Sequence, residues 1–336
     1  MNICVCLNVL EARMLYSLCY PLMWMLAYGH QKYHWCLVVT KRRPKLLLQT
    51  VVRPESHYHR QCNWLKRADI ELLSWFSLSL AARYTLRLFE RPTRMPCLSQ
   101  DLAFEAQSAF DELTFSGHKV RVYCHEPECP NGKTLLLLHG WEGRSVMFRP
   151  LLTKLLSHGY RLILPDLLAH GHSEGSRCSF YELSSLILEL DRRYGSFDAA
   201  IGHSFGGTAL AIALDQGLML KKMVTIGSPN GFGNMIDAYI DYFHYPSSLK
   251  AQLKHIYTCQ QGKNPDDIGP PLWGRLNLPT LICHDRNDVV INIQEAHDMH
   301  ASFPNSQLCI TSGRGHRGVL RDHQLHNAVL GFLSAT

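Results

Sequence analysis

The chain has 336 residues, of which 46% are hydrophobic and 18% charged, a balance that supports a globular protein with an ample core. Its net charge of +6 is uneven: residues 1–95 hold 14 Lys+Arg against 5 Asp+Glu, and the rest holds 20 against 23. The larger part is therefore slightly acidic, which argues against nucleic-acid binding. Twelve irregularly spaced cysteines, without a C-x-x-C, exclude a zinc framework or a small disulfide scaffold and read as reduced thiols of a cytoplasmic protein.

Residues 1–65 have no sustained period of 3.6 or 2 and are expected to be poorly structured or an over-extended start. Met14 to Tyr28 is apolar, but its roughly 15 residues fall short of the ~20 that span a bilayer, and Pro21 interrupts it. No basic n-region or small-residue cleavage site makes it a signal peptide. Membrane contact through residues 1–90, aided by Lys41-Arg42-Arg43, is the lesser reading. Within 66–97, Leu72, Leu73, Phe76, Leu80, Tyr84, Leu86, Leu88 and Phe89 predict a helix from Ile70 to Glu90 that is apolar over much of its circumference, ended by Pro92 and Pro96.

From residue 98 to the end, strands and helices alternate. Leu113–Ser116 and Lys119–Cys124 read as a hairpin around Gly117. Strands are predicted at Thr134–Leu138, Tyr160–Pro165, Phe197–Ile201, Lys221–Ile226, Thr280–His284 and Leu308–Thr311, with Cys283 and Cys309 as small core residues in the last two. Helices are predicted at Phe148–Ser157, Phe180–Tyr194, Gly207–Leu214, Gln294–Ala301 and His323–Leu333. The alternation predicts an α/β fold, a mostly parallel central sheet with helices on both faces. The interval 229–277 breaks it with aromatic, helix-like pieces (Phe232, Tyr239, Tyr242, Phe243, Tyr245, Tyr257) and reads as a small helical cap. The competing reading is a core-facing helix pair, since an aromatic stripe usually packs in a core.

Gly202-His203-Ser204-Phe205-Gly206 is a G-x-S-x-G run between a strand and a helix. A serine at such a turn is held in a strained backbone with its hydroxyl above the sheet, and the glycines let neighbouring chain approach. Such a serine acts as a nucleophile only with a base and an acid, expected in the order Ser, Asp or Glu, His after successive strands. His316, in Gly313-Arg314-Gly315-His316, follows the last strand, and Asp288 follows the strand before it. Asp285 is the rival acid. Asp288 is preferred because Val289-Val290 after it would anchor the loop. The backbone N–H groups of Phe205 and Trp141, the latter in His139-Gly140-Trp141 after a strand, are the candidate oxyanion donors. Arg144 reads equally as a substrate contact or a structural ion pair. Asp166 with His170-Gly171-His172-Ser173 reads as a polar loop rather than a metal site, and His203 as a packing and hydrogen-bonding residue rather than a base.

Taken in order, His139-Gly140-Trp141-Glu142-Gly143, Asp166 with His170-Gly171-His172-Ser173, Gly202-His203-Ser204-Phe205-Gly206-Gly207, Asp288 and Gly315-His316 make residues 113–333 resemble the α/β-hydrolase superfamily. Within it, the esterase, lipase and peptidase type is the nearest, and a poorly characterised bacterial branch is suggested by the run around His316 and by Arg87-Leu88-Phe89 with Pro92. The resemblance implies a serine hydrolase with Ser204 as nucleophile, His316 as base, Asp288 as acid, no cofactor and no metal. The expected substrate is a small to medium apolar acyl ester, with a thioester, amide or carbon–carbon bond as alternatives. A non-catalytic ligand-binding protein of the same fold is the reading from another class.

Overall fold

The computed structural model describes residues 57–94 and 99–335, with side chains from Lys66 on, Gln100 excepted. The chain forms two compact units, Met1–Asp69 and Ile70–Thr336. Of the first, the expectation for 1–65 lies outside the described residues except at 57–65, which are helical. All that follows concerns the second unit.

Its eight strands are β1 (Phe110–Phe115), β2 (His118–His125), β3 (Thr134–Leu138), β4 (Arg161–Pro165), β5 (Ala199–His203), β6 (Lys222–Ile226), β7 (Thr280–Asp285) and β8 (Ser306–Thr311). They form one sheet in the order β1-β2-β4-β3-β5-β6-β7-β8. The β1–β2 hairpin and the β2–β4 pair are antiparallel, and every pair from β4 to β8 is parallel. The central strands read TLLLL and AAIGH and are buried along almost their whole length, as strands covered on both faces must be.

The main helices are α1 (His57–Phe76), α2 (Leu78–Phe89), α3 (Ser99–Gln107), α4 (Arg149–Ser157), α5 (Phe180–Tyr194), α6 (Phe205–Asp215), α7 (Phe232–Tyr242), α8 (Ser248–Gln261), α9 (Ile293–Ser302) and α10 (His323–Ser334). Two hydrophobic clusters lie on the two faces of the sheet. One holds Leu136 and Leu138 with α5, α6, α7 and α8, and the other holds Leu135 and Leu137 with α4 and α10. The side chains alternate along β3, as the period-2 pleat requires.

Three features depart from the sequence reading. The helix predicted from Ile70 to Glu90 is two helices: Ser77 is extended (φ −161, ψ 110) and its hydroxyl accepts the Leu80 N–H at 3.3 Å, capping a new helix. Helix α3 went unread, since its nine residues carry no apolar stripe long enough to show a period. Of the aromatics of 229–277, Phe232, Tyr245 and Tyr257 are core, Tyr239 and Phe243 are half-buried and Tyr242 is exposed. Phe232 and Tyr257 are essentially inaccessible, Phe232 packs 4.3 Å from Phe180, and Phe180 lies 4.0 Å from Phe205 (ring centroids). The insertion is helical between β6 and β7, and its rings pack against Phe89 of α2 and against Phe180 and Tyr181 of α5.

By contrast, α5 has the predicted limits because its start is chemically explicit. Ser179 accepts the Glu182 N–H, and Glu182 accepts the Ser179 N–H, which closes a capping box.

Candidate active site

Ser204 sits between β5 and α6 at φ 52, ψ −121. For a residue with a Cβ this backbone costs about 1–3 kcal/mol and persists only where its surroundings enforce it. Here the Ser204 N–H is bound to Ile226 O of β6 at 2.8 Å, while its carbonyl accepts the Gly207 N–H. Gly206 explains its place in the run. A Cβ there would overlap the Leu138 carbonyl and stand 2.9 Å from that of His139, both backbone atoms that cannot swing aside. Gly206→Ala is expected to lower stability by about 1–3 kcal/mol through this overpacking, read as a drop in thermal midpoint; an unchanged midpoint would contradict the tight contact.

β5, β7 and β8 are parallel, so their carboxyl ends lie along one edge of the sheet, where α/β folds bind ligands. Ser204, Asp288 and His316 follow those three strands and meet. His316 Nε2 lies 3.0 Å from Ser204 Oγ, and His316 Nδ1 lies 2.6 Å from Asp288 Oδ2. The Asp288 carboxylate is buried; its other oxygen accepts the Val290 and Ile291 N–H groups at 2.8 and 2.9 Å. Burial alone would push its pKa up, but the His316 bond and then the two N–H groups outweigh burial and hold it below the ordinary carboxylate range. An anionic, oriented acid beside an imidazole fixes the tautomer and stabilises the imidazolium.

The reason that favoured Asp288 over Asp285 fails in detail. Val289 and Val290 are 95% and 64% exposed, so they anchor nothing within the unit. Backbone hydrogen bonds to Asp288 shape the loop instead. Asp285 is committed elsewhere: its carboxylate accepts the Asn287, Arg314 and Gly315 N–H groups and the Thr311 hydroxyl. It joins the loop after β7 to the one that carries His316.

Two buried histidines near this arrangement carry bonds that the sequence did not disclose. His203 donates from Nε2 to the His316 carbonyl at 2.8 Å, with the rings 4.9 Å apart. His284 donates from Nε2 to the Ile291 carbonyl at 2.9 Å and lies 3.5 Å from Asp288 Oδ2. Each ties down a loop bearing one member of the constellation. One of 19 histidines has no sequence signal that marks it for this. Burial pushes the His203 pKa down to about 3, against an ordinary 6.5. The unfolded chain therefore binds this proton first, and stability falls as pH drops from 6.5 toward 3. His170, also near 3 by burial, adds to the decline. His203→Gln, which keeps a donor near the Nε2 position, is expected to flatten the fall in thermal midpoint between about pH 7 and about pH 5. An unaltered pH profile of the midpoint would contradict a buried neutral His203.

The loop after β3 lies against Ser204: a Cβ on Gly140 would be 2.9 Å from Ser204 Cβ. The next residue, Trp141, packs its ring edge-on to Phe205 at 4.9 Å. His139 fixes this loop from below, donating from Nδ1 to the Gly140 carbonyl and accepting the Leu167 N–H at Nε2. Among the described residues, no loop or side-chain acceptor takes the Trp141 or Phe205 N–H. Arg144 lies 3.0 Å from the buried carboxylate of Glu105 on α3, which also meets His172, so it forms a structural ion pair. Asp166 accepts the Ser145 and His172 N–H groups, and no metal-holding cluster of His, Cys, Asp and Glu occurs among the described residues.

Comparisons with known proteins agree with this architecture. A family model described as alpha/beta hydrolase fold matches residues 133–256. An uncharacterised hydrolase of Bacillus subtilis, YugF, is 24% identical over 256 residues, 63% of this chain and 93% of that protein. A putative carbamate hydrolase of Stutzerimonas stutzeri, RutD, is 24% identical over 246 residues, 61% of this chain and 91% of that one. Among solved structures, an esterase of Exiguobacterium antarcticum aligns with a TM-score of 0.53 at 20% identity, covering 68% of this chain and 100% of that chain.

Proposed function

We propose that this chain is an enzyme of the α/β-hydrolase superfamily, a serine hydrolase of carboxylic esters with small to medium apolar acyl groups. The observation that carries this reading is the continuous hydrogen-bonded line from Ser204 Oγ through His316 to Asp288. Ser204 Oγ attacks the ester carbonyl while His316 Nε2 takes its proton, and Asp288 stabilises the imidazolium. The carbonyl oxygen becomes an oxyanion, held by the N–H groups of Phe205 and Trp141. The C–O bond to the alcohol breaks, His316 returns the proton to the departing oxygen, and an acyl-Ser204 ester remains. Water, deprotonated by His316, then attacks that ester, and the acid leaves as Ser204 recovers its proton. Similarity to an esterase supports an ester, and the exposed Val289 and Val290, which follow Asp288 in the chain, support an apolar acyl group.

A series of p-nitrophenyl esters of increasing acyl length tests this. The expected result is a burst of p-nitrophenol stoichiometric with enzyme, an acyl adduct on the Ser204 peptide, and a maximum at short to medium chains. Turnover of amides or thioesters with no turnover of any ester would replace the bond type. No turnover and no adduct from a folded sample would favour a ligand-binding protein.

A further inference from the structure

We propose that the exposed face formed by the end of α1 and by α2 docks on an anionic lipid surface, so that the enzyme works as a peripheral membrane protein. The last turns of α1 are apolar on two sides. Ile70 is fully buried and Leu73 packs on the core, whereas Leu72, Trp75 and Phe76, on the opposite side of the helix, are 56%, 86% and 75% exposed. Large apolar side chains scattered singly over a surface need no explanation, but three within five residues form a patch. The chain then turns at Ser77 into α2, which exposes Ser79, Arg83 and Arg87 at a spacing of four, followed by exposed Arg91. No ion pair of these three arginines occurs among the described residues. Acidic groups here face inward: Glu71 is half-buried, and Glu90 is buried, accepting from Tyr257 and pairing with Arg177.

The stretch 72–91 thus carries exposed Leu, Trp and Phe followed by exposed arginines that no acidic group opposes among the described residues. Aromatic rings of this kind settle at the headgroup level, and arginines beside them meet lipid phosphates and anionic headgroups. A nucleic acid would satisfy the arginines but leave Leu72 and Phe76 in water. No described helix is long and apolar enough to cross a membrane.

Sedimentation of the full 336-residue chain with phosphatidylcholine vesicles, with and without phosphatidylserine, tests this. Binding about tenfold or more tighter to the serine-lipid vesicles, weakened by salt and accompanied by a blue shift of tryptophan emission, is expected. The triple variant Leu72→Ser, Trp75→Ser, Phe76→Ser should lose about tenfold or more in affinity. Arg83→Gln with Arg87→Gln should lose the preference for the anionic lipid. Both variants should keep the thermal midpoint and the hydrolysis of a soluble ester. Equal or absent binding to the two vesicles, or anionic-lipid binding that the triple variant retains, would overturn the proposal. So would self-association of the chain that the triple variant abolishes, since that assigns the face to a second copy.

Discussion

Ser204→Ala is expected to lower kcat for p-nitrophenyl ester hydrolysis by about 10⁶-fold, to the level left by binding and oxyanion stabilisation alone. The substitution removes one oxygen and little else. The backbone at φ 52, ψ −121 is imposed by the Ile226 carbonyl and by the packing of Gly206, and alanine meets the same steric cost there as serine. His316 stays bonded to Asp288 and to His203. KM should therefore change little and the thermal midpoint should stay within a few degrees, so the loss falls on the chemical step. A residual rate within tenfold of the original would assign the nucleophile to another group.

Asp288→Asn is expected to lower kcat by about 10⁴-fold. The amide keeps the size of the carboxylate and can still accept from Val290 and Ile291. It then presents its NH2 to His316 Nδ1, which selects the tautomer with the proton on Nε2, facing Ser204, and leaves no base there. Asp285→Asn supplies the contrast. Asp285 pins the His316 loop through N–H groups of Arg314 and Gly315, and its loss should appear first as a lowered thermal midpoint. Its effect on kcat should be at least tenfold smaller than that of Asp288→Asn. Equal losses in the two variants would mean that the acid was misassigned.

Legibility in the sequence followed the number of constraints at each position. β3, as TLLLL, is buried on both faces, and α5 carries its own capping box, so both were found with their limits. Ser204, Asp288 and His316 were recognisable because each follows a strand in a fixed order, which is a one-dimensional signature of a three-dimensional meeting. The support around them has no such signature. His203 and His284 act through single bonds to main-chain carbonyls of residues 113 and 7 positions away. The exposure of Val289 and Val290, next to a buried aspartate, depends on where the loop turns, and composition does not report it. The aromatics of 229–277 share one composition whether they line a ligand site or pack a core; only contacts such as Phe232 with Phe180 and Tyr257 with Tyr181 decide.

The central claim, that Ser204 is an activated nucleophile, is tested most directly by a fluorophosphonate probe with peptide mapping of the adduct. The expected result is one phosphonyl group per chain, on Ser204, with activity lost in proportion and labelling abolished in His316→Ala. A folded chain that hydrolyses esters yet carries the adduct on another residue, or none, would contradict the account.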